Sequence, residues 1–261
     1  MSIALSLEGK VALITGGSRG IGAAAVRAFV AAGARVLFNY QRAKVRAEAL
    51  VKACGGEHCA AVACDLSGVE GAKDLVDETV KRFGRLDILV ANHGIWPPQD
   101  APVDQMTDTQ WHATVAVNLD SVFSLVRHSV GQMKKQKKLG TGEGGHVVLV
   151  SSTSGQRGEA FHVDYAATKG ALISMAKGLS TELAGDGIYV NCVAPGWVAT
   201  DMSEPALNDP EIQERIFSSI PLGRVGTPDE IAVPILFLCT QHAGFITGEV
   251  FNVNGGAVLA G

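Results

Sequence analysis

Tyr165 and Lys169 lie four residues apart, a spacing that stacks two side chains on one face of a helix. A free phenol titrates near ~10 and a free lysine ammonium near ~10.4. A cation held beside a phenol favours phenolate, which predicts a Tyr165 pKa lowered toward the working range of an acid/base catalyst. Ser152 follows the apolar run His146–Ser151 and brings a hydroxyl that could hold a carbonyl or alcohol oxygen against that phenol. Such a trio moves a proton, and it needs a hydride carrier supplied elsewhere in the chain. By itself a Tyr-x-x-x-Lys pair is ordinary helix surface.

A carrier site is written near the N-terminus. The stretch Lys10–Thr15 centres on Val11-Ala12-Leu13-Ile14, too short for a helix, and reads as a buried parallel strand. Thr15-Gly16-Gly17-Ser18-Arg19-Gly20-Ile21-Gly22 then leads into a helical stretch, Ala23–Ala32, closed by Gly33. Glycines in a strand–turn–helix context let the backbone approach a ligand, and the helix N-terminus offers N–H groups to a pyrophosphate. No Gly-Lys-Ser/Thr follows, which excludes a P-loop.

The elements that must position these groups alternate. Strands are expected at Arg35–Asn39, His58–Ala63, Leu86–Ala91, His146–Ser151, Ile188–Ala194 and Glu249–Val253. Helices are expected at Ala43–Cys54, Val69–Phe83, Val163–Ala184, about Pro210–Ser219, and Asp229–Thr240 behind Thr227-Pro228. Thr107–Lys138 reads as two helices meeting near Asn118, Leu139–Gly145 as a surface loop, and the segment between Gly155 and Tyr165 as a loop. This pattern predicts an α/β fold over residues 1–261, a single doubly wound, seven-stranded parallel sheet with helices on both faces. Ligands bind such sheets beyond the carboxyl ends of the strands, where Gly16–Gly22, Asn92–Gly94, Ser152 and Pro195-Gly196 all fall.

A chain of 261 residues, 47% hydrophobic and 18% charged, is long enough for a sizeable core. The net charge of −4 gives no basis for nucleic-acid or membrane binding. Five cysteines without a close C-x-x-C pair argue against a disulfide scaffold and for a reducing compartment. Cys54, Cys59 and Cys64, with His58 among them, read as packing residues rather than a metal site. Met1–Leu5 lacks a basic region followed by a long apolar run, and no apolar run reaches transmembrane length. A cytoplasmic protein is expected.

In this order and spacing the motifs resemble the short-chain dehydrogenase/reductase family, from Val11 to Gly256. They are Thr-Gly-x-x-x-Gly-x-Gly at 15–22, Asp65, Asn92-x-Gly94, Val117-Asn118-Leu119, Ser152, Tyr165 with Lys169, Pro195-Gly196 with Thr200, Pro221-Leu222-Gly223-Arg224 and Thr247-Gly248. The resemblance implies Tyr165 as general acid/base, with Lys169 depressing its pKa and holding the nicotinamide ribose. It implies Ser152 as the orienter of the substrate oxygen and Asn118 in a proton relay. Ser151 is the rival serine, but Ser152 stands at the thirteen-residue spacing before Tyr165 usual in the family. The cofactor would lie against Gly16, Ser18, Arg19, Gly20, Ile21, Gly22, Asp65, Leu66, Asn92, Gly94, Pro195, Gly196, Val198 and Thr200, besides Tyr165 and Lys169. Where the family has Asn-Asn-Ala-Gly this chain has Ala91-Asn92-His93-Gly94, and His93 is read as a packed or solvent-facing imidazole rather than a proton carrier.

The end of the second strand decides between nicotinamides. Asn39, Tyr40 and Arg42 stand where an Asp or Glu would hold a ribose 2′-OH. Arg42 and Arg19 without a carboxylate favour NADP(H) over NAD(H). A substrate loop is expected over about 198–222, chiefly Asp201–Leu222, with Trp96, Gln156, Phe161, His162 and Trp197 as candidate walls. The resemblance extends to 3-oxoacyl-carrier-protein reductases, for whose acidic partner Lys134, Lys135, Lys137 and Lys138 would be a basic run, and equally to sugar or polyol dehydrogenases. It also implies a homotetramer packed through the helices at Asn118–Lys138 and Val163–Ala184. A small carbonyl or alcohol, free or carrier-linked, is the expected partner. A non-catalytic dinucleotide-binding regulator is the reading from another class, and it leaves Ser152, Tyr165 and Lys169 unexplained. So would a methyltransferase on a related sheet.

Overall fold

Short apolar runs that bury both faces become central parallel strands, and the computed structural model sets them in the middle of a seven-stranded sheet whose edge strands are only partly buried. It describes residues 4–140 and 144–259; Met1–Ile3 of the N-terminal stretch and Thr141–Glu143 of the expected surface loop lie outside them. The strands are β1 (Val11–Ile14), β2 (Arg35–Tyr40), β3 (Cys59–Ala63), β4 (Ile88–Ala91), β5 (Gly145–Val150), β6 (Ile188–Pro195) and β7 (Val250–Val253). Their order is β3-β2-β1-β4-β5-β6-β7, and every pairing is parallel. The order reverses between β1 and β4, the crevice at which doubly wound sheets take ligands.

Residue alternation along each strand feeds two cores. Ile14, Phe38, Val90, Val150 and Val193 point to one face, covered by α1 (Gly20–Ala31), α2 (Lys44–Cys54) and α10 (Pro228–Leu238). Leu13, Leu37, Leu89, Leu149 and Cys192 point to the other, covered by α3 (Glu70–Phe83), α5 (Ser121–Lys138) and α7 (Val163–Leu183). Phe29, Phe38 and Leu13 are fully buried, each adding about 1.5–3 kcal/mol by leaving water. The ring of Phe38 also lies under the glycine turn, where a Cβ on Gly17 would stand 2.7 Å from its Cγ. Phe38→Ala would cost about 3–5 kcal/mol and would remove the floor of that turn.

Two local features depart from the sequence expectations. Helix α1 begins at Gly20, not Ala23, because Gly20 and Gly22 leave room for a close turn. The segment after Ser152 is not all loop: Thr153–Arg157 form the short helix α6, with Ser152 as its N-cap. The two helices expected to meet near Asn118 do so: they are α4 (Asp108–Val115) and α5, joined by a π-turn over Ala116–Asp120. The irregular stretch after β6 carries α8 (Glu204–Leu207) and α9 (Pro210–Ser218), and a bridge from Val198 to Gly226 closes its base. Helix α10 starts at a complete capping box, with Thr227 and Glu230 each accepting from the other's backbone N–H. Among the described residues no helix is long and apolar enough to cross a membrane.

Candidate active site

Strand β5 delivers two serines with different tasks. The Ser151 hydroxyl donates to the Lys169 carbonyl at 2.7 Å and so pins α7 to the sheet. Ser152 accepts the Ser154 N–H at 3.1 Å and hydrogen-bonds the Tyr165 phenol. The expectation for Tyr165 is overturned on one point: its pKa is not lowered but pushed up to about 12, first by burial, with the Ser152 hydrogen bond opposing. The cause is geometric. The Lys169 ammonium lies 5.6 Å from the phenol ring centroid and donates to the Val150 carbonyl at 2.9 Å. Burial instead lowers the Lys169 pKa to about 8, since a cation out of water is costly. Tyr165 is therefore a neutral phenol at physiological pH, the form that gives a proton to a carbonyl oxygen.

Asn118 is fully buried in the π-turn and is consumed by structure. Its Oδ1 accepts the Ile95 N–H at 2.8 Å and its Nδ2 donates to the Ile95 carbonyl at 2.9 Å. The side chain thus clasps the chain beyond Gly94, and a Cβ on Gly94 would lie 3.2 Å from Asn118 Oδ1 and 3.4 Å from Lys169 Nζ. Any proton relay through Asn118 runs past a carboxamide already paired on both sides. His93 is packed, not solvent-facing. The Thr15 hydroxyl donates to its Nδ1 at 2.8 Å, and its Nε2–H faces Ser121 Oγ at 2.7 Å and the Val117 carbonyl at 3.1 Å. That tautomer follows because Ser121 Oγ itself donates to the Val117 carbonyl at 2.7 Å. Burial lowers the His93 pKa to about 3, so the imidazole is a neutral strut between the glycine turn and the π-turn.

The glycine turn is stapled to its neighbours. Asn39 Oδ1 accepts the Gly16 N–H at 2.8 Å while its Nδ2 donates to the Cys64 carbonyl at 3.0 Å. Asn39, expected against the cofactor, is spent on tying three strand ends together. Asn92 Nδ2 donates to the Thr15 carbonyl at 3.0 Å. A Cβ on Gly22 would stand 2.2 Å from the Gly16 carbonyl oxygen, so only glycine permits this approach. Arg19, the N-cap of α1, offers no side-chain cap, which leaves first-turn N–H groups to an anion. Ser18, Gly20 and Ile21 complete that turn. This uncapped, close-turned helix start fits a dinucleotide pyrophosphate.

Beyond β2 and β3 the groups are exposed. Asp65 accepts the Ser67 N–H at 2.8 Å, and that bond, a Gln41 contact and the nearby Arg42 hold its carboxyl below the usual range. Leu66 beside it is buried. Arg42 acts only weakly on Asp65 and does not share the carboxylate that Arg19 pairs with. The guanidinium that meets Arg19 is Arg46, unremarked in the sequence: both pair with Asp201 Oδ2, Arg19 at 3.4 Å and Arg46 more closely. Arg46 lies in the first turn of α2, four residues after Arg42. On the loop side, Gly196 follows the end of β6, Val198 is buried, and the Thr200 methyl would meet a Cβ on Gly20 at 3.1 Å.

Over Tyr165 the wall is aromatic. Trp96 packs edge-on against Tyr165 at 4.8 Å and stacks on His162 at 3.9 Å. His162 is buried and its Nε2 bonds the Pro97 carbonyl at 3.0 Å, so it positions Trp96. Phe161, next to it, is half exposed with a left-handed backbone. Gln156 Nε2 donates to Asn252 Oδ1 at 2.6 Å, and its Oε1 is buried with no partner among the described residues. Trp197 is half-buried, and its carbonyl accepts the Gly226 N–H at 2.9 Å. Among the described residues no cluster of His, Cys, Asp or Glu could hold a metal, and the five cysteines are free.

A family model described as Enoyl-(Acyl carrier protein) reductase matches residues 16–258. A 3-oxoacyl-[acyl-carrier-protein] reductase of Synechocystis is 38% identical over 258 residues, 97% of this chain and 99% of its own length. A short-chain dehydrogenase/reductase of Brucella melitensis, titled glucose/ribitol dehydrogenase, superposes with a TM-score of 0.89 at 34% identity, covering 99% of this chain and 100% of its own. A 3-ketoacyl-(acyl-carrier-protein) reductase of Brucella melitensis, solved with NADH, superposes with a TM-score of 0.87 at 32% identity, covering 97% and 100%. The chain belongs to the short-chain dehydrogenase/reductase family of NAD(P)(H)-dependent oxidoreductases.

Proposed function

We propose that the chain is an NADPH-preferring reductase of 3-oxoacyl thioesters, free or carrier-linked, working in the cytoplasm as a homotetramer and as one domain over residues 1–261. The observation that carries this reading is the buried, neutral Tyr165 phenol, hydrogen-bonded to Ser152 and walled by Trp96. Such a group is poised to donate a proton, not to remove one, which fits reduction. The relatives named as oxoacyl reductases support the thioester class.

Bound at the glycine turn, the nicotinamide nucleotide supplies the hydride. The chain's own residues do the rest. Gly16–Gly22 seat the pyrophosphate, and Ser18, Ile21, Leu66, Asn92, Gly94, Pro195, Val198 and Thr200 line the nucleotide's path. Arg19 and the basic side chains that follow β2 meet the 2′-phosphate. Ser152 donates to the substrate oxygen, Tyr165 protonates it, and Lys169 holds the ribose and sustains positive potential beneath the phenol. Trp96, Gln156 and Trp197 bound the acyl chain under the loop at 198–222.

The test is steady-state turnover of NADPH and NADH with acetoacetyl thioester, an enoyl thioester, a ketose and a polyol. The reading predicts highest kcat/KM for the oxoacyl thioester with NADPH. Turnover of the polyol or the enoyl thioester in preference would replace it, and light scattering giving any species but a tetramer would remove the assembly.

A further inference from the structure

Two guanidiniums from two separate elements meet on one oxygen at the cofactor edge of the sheet. Arg19 comes from the glycine turn and Arg46 from the first turn of α2, and both pair with Asp201 Oδ2. Neither has another carboxylate partner among the described residues. Asp201 belongs to neither element. It heads the substrate loop, next to Thr200, which rests on Gly20. All three side chains reach water, 63% exposed for Arg19, 58% for Arg46 and 35% for Asp201. Ion pairs of this kind are weak and exchange readily.

We propose that Arg19 and Arg46 form the seat of the cofactor's ribose 2′-phosphate, and that the Asp201 carboxylate is a built-in rival for it. The inference rests on the NADPH reading and deepens it. A phosphate dianion offers three oxygens to two forked guanidiniums, where Asp201 offers a single shared oxygen. The phosphate therefore displaces the carboxylate, whereas a ribose 2′-OH leaves the arginines with Asp201. Occupancy by the rival reduces the apparent affinity for phosphate by the fraction of molecules in which the seat is free. Asp201 thus sets how strongly the chain distinguishes the two nicotinamides, and Arg46, not Arg42, is the second cation.

Isothermal titration of the full chain with 2′,5′-ADP and with 5′-ADP separates the two nucleotide classes without turnover. Wild type is expected to bind 2′,5′-ADP more tightly. Asp201→Asn is expected to tighten 2′,5′-ADP roughly three- to tenfold and to leave 5′-ADP within twofold. Asp201→Glu, which keeps the rival, should track wild type. Arg46→Ala should weaken 2′,5′-ADP roughly tenfold or more, against a smaller loss for Arg42→Ala. Unchanged 2′,5′-ADP affinity in Asp201→Asn, or equal gains for both nucleotides, overturns the rival. A larger loss in Arg42→Ala than in Arg46→Ala overturns the seat. Wild type binding both nucleotides alike overturns the NADPH reading and this inference with it.

Discussion

Lys169 and Asp201 both stand at the carboxyl edge of the sheet, yet Lys169 is 4% exposed while the Asp201 side chain is 35% exposed. Around Lys169 a charge is out of water, so the environment moves proton affinities: its own falls to about 8 and that of Tyr165 rises to about 12. Around Asp201 two exposed guanidiniums share one carboxylate in contact with water. The chemical half of the site is thus governed by desolvation and answers to pH. The half that holds Asp201 is governed by screened ion pairs, which answer to salt.

Removing the donor from the buried half breaks the contrast most severely. Tyr165→Phe is expected to lower kcat by about 10²–10⁴-fold while nucleotide binding by titration persists; a kcat within threefold of wild type would displace Tyr165 from its role. Next comes acid stability. His93 is buried and His146 half-buried, and both are neutral, with pKa values lowered to about 3 and about 4, chiefly by desolvation. Their unfolded values lie near ~6.5, so their contribution is complete above that pH. It is lost as pH falls from there toward the folded values, by up to about 1.4 kcal/mol per pH unit for each. Denaturant melts at pH 7 and pH 5 should differ accordingly, and His146→Phe should flatten the slope.

The exposed half should answer to ions. Between low and high salt the ratio of NADPH to NADH affinity is expected to fall roughly two- to fivefold, with kcat for NADPH hardly changed. A salt-independent ratio would mean that the 2′-phosphate is not read by exposed cations. Least of all should follow from a surface pair remote from both halves: Lys134 lies 2.7 Å from Asp186, and Lys134→Ala should cost about 0.5 kcal/mol or less without altering either nucleotide's affinity.

The sheet was legible because parallel strands advertise themselves as short apolar runs, and seven such runs became seven parallel strands. The family resemblance separated Ser152 from Ser151 by its spacing from Tyr165, and in the structure the Ser151 hydroxyl donates to the Lys169 carbonyl. What spacing could not convey was depth. An i,i+4 phenol and ammonium imply mutual attraction, but burial of both decides their proton affinities. Nor could sequence proximity pair Arg46 with Asp201, since the two are 155 residues apart and meet only after the loop folds back. Asn39 and His162 were expected at the ligand because of where they stand, and the fold spends both on the backbone. Helix α6 escaped notice because five residues are too few for periodicity to register.

The pH dependence of kcat/KM for carbonyl reduction, in wild type and in Lys169→Arg, tests the buried half most directly. With Tyr165 protonated throughout and the Lys169 ammonium required, the wild-type rate should fall as pH rises through about 8, and an arginine, which stays charged, should move that limb upward. A rate that climbs through pH 8, or an alkaline limb identical in the two proteins, would contradict a neutral phenol supported by a titrating lysine.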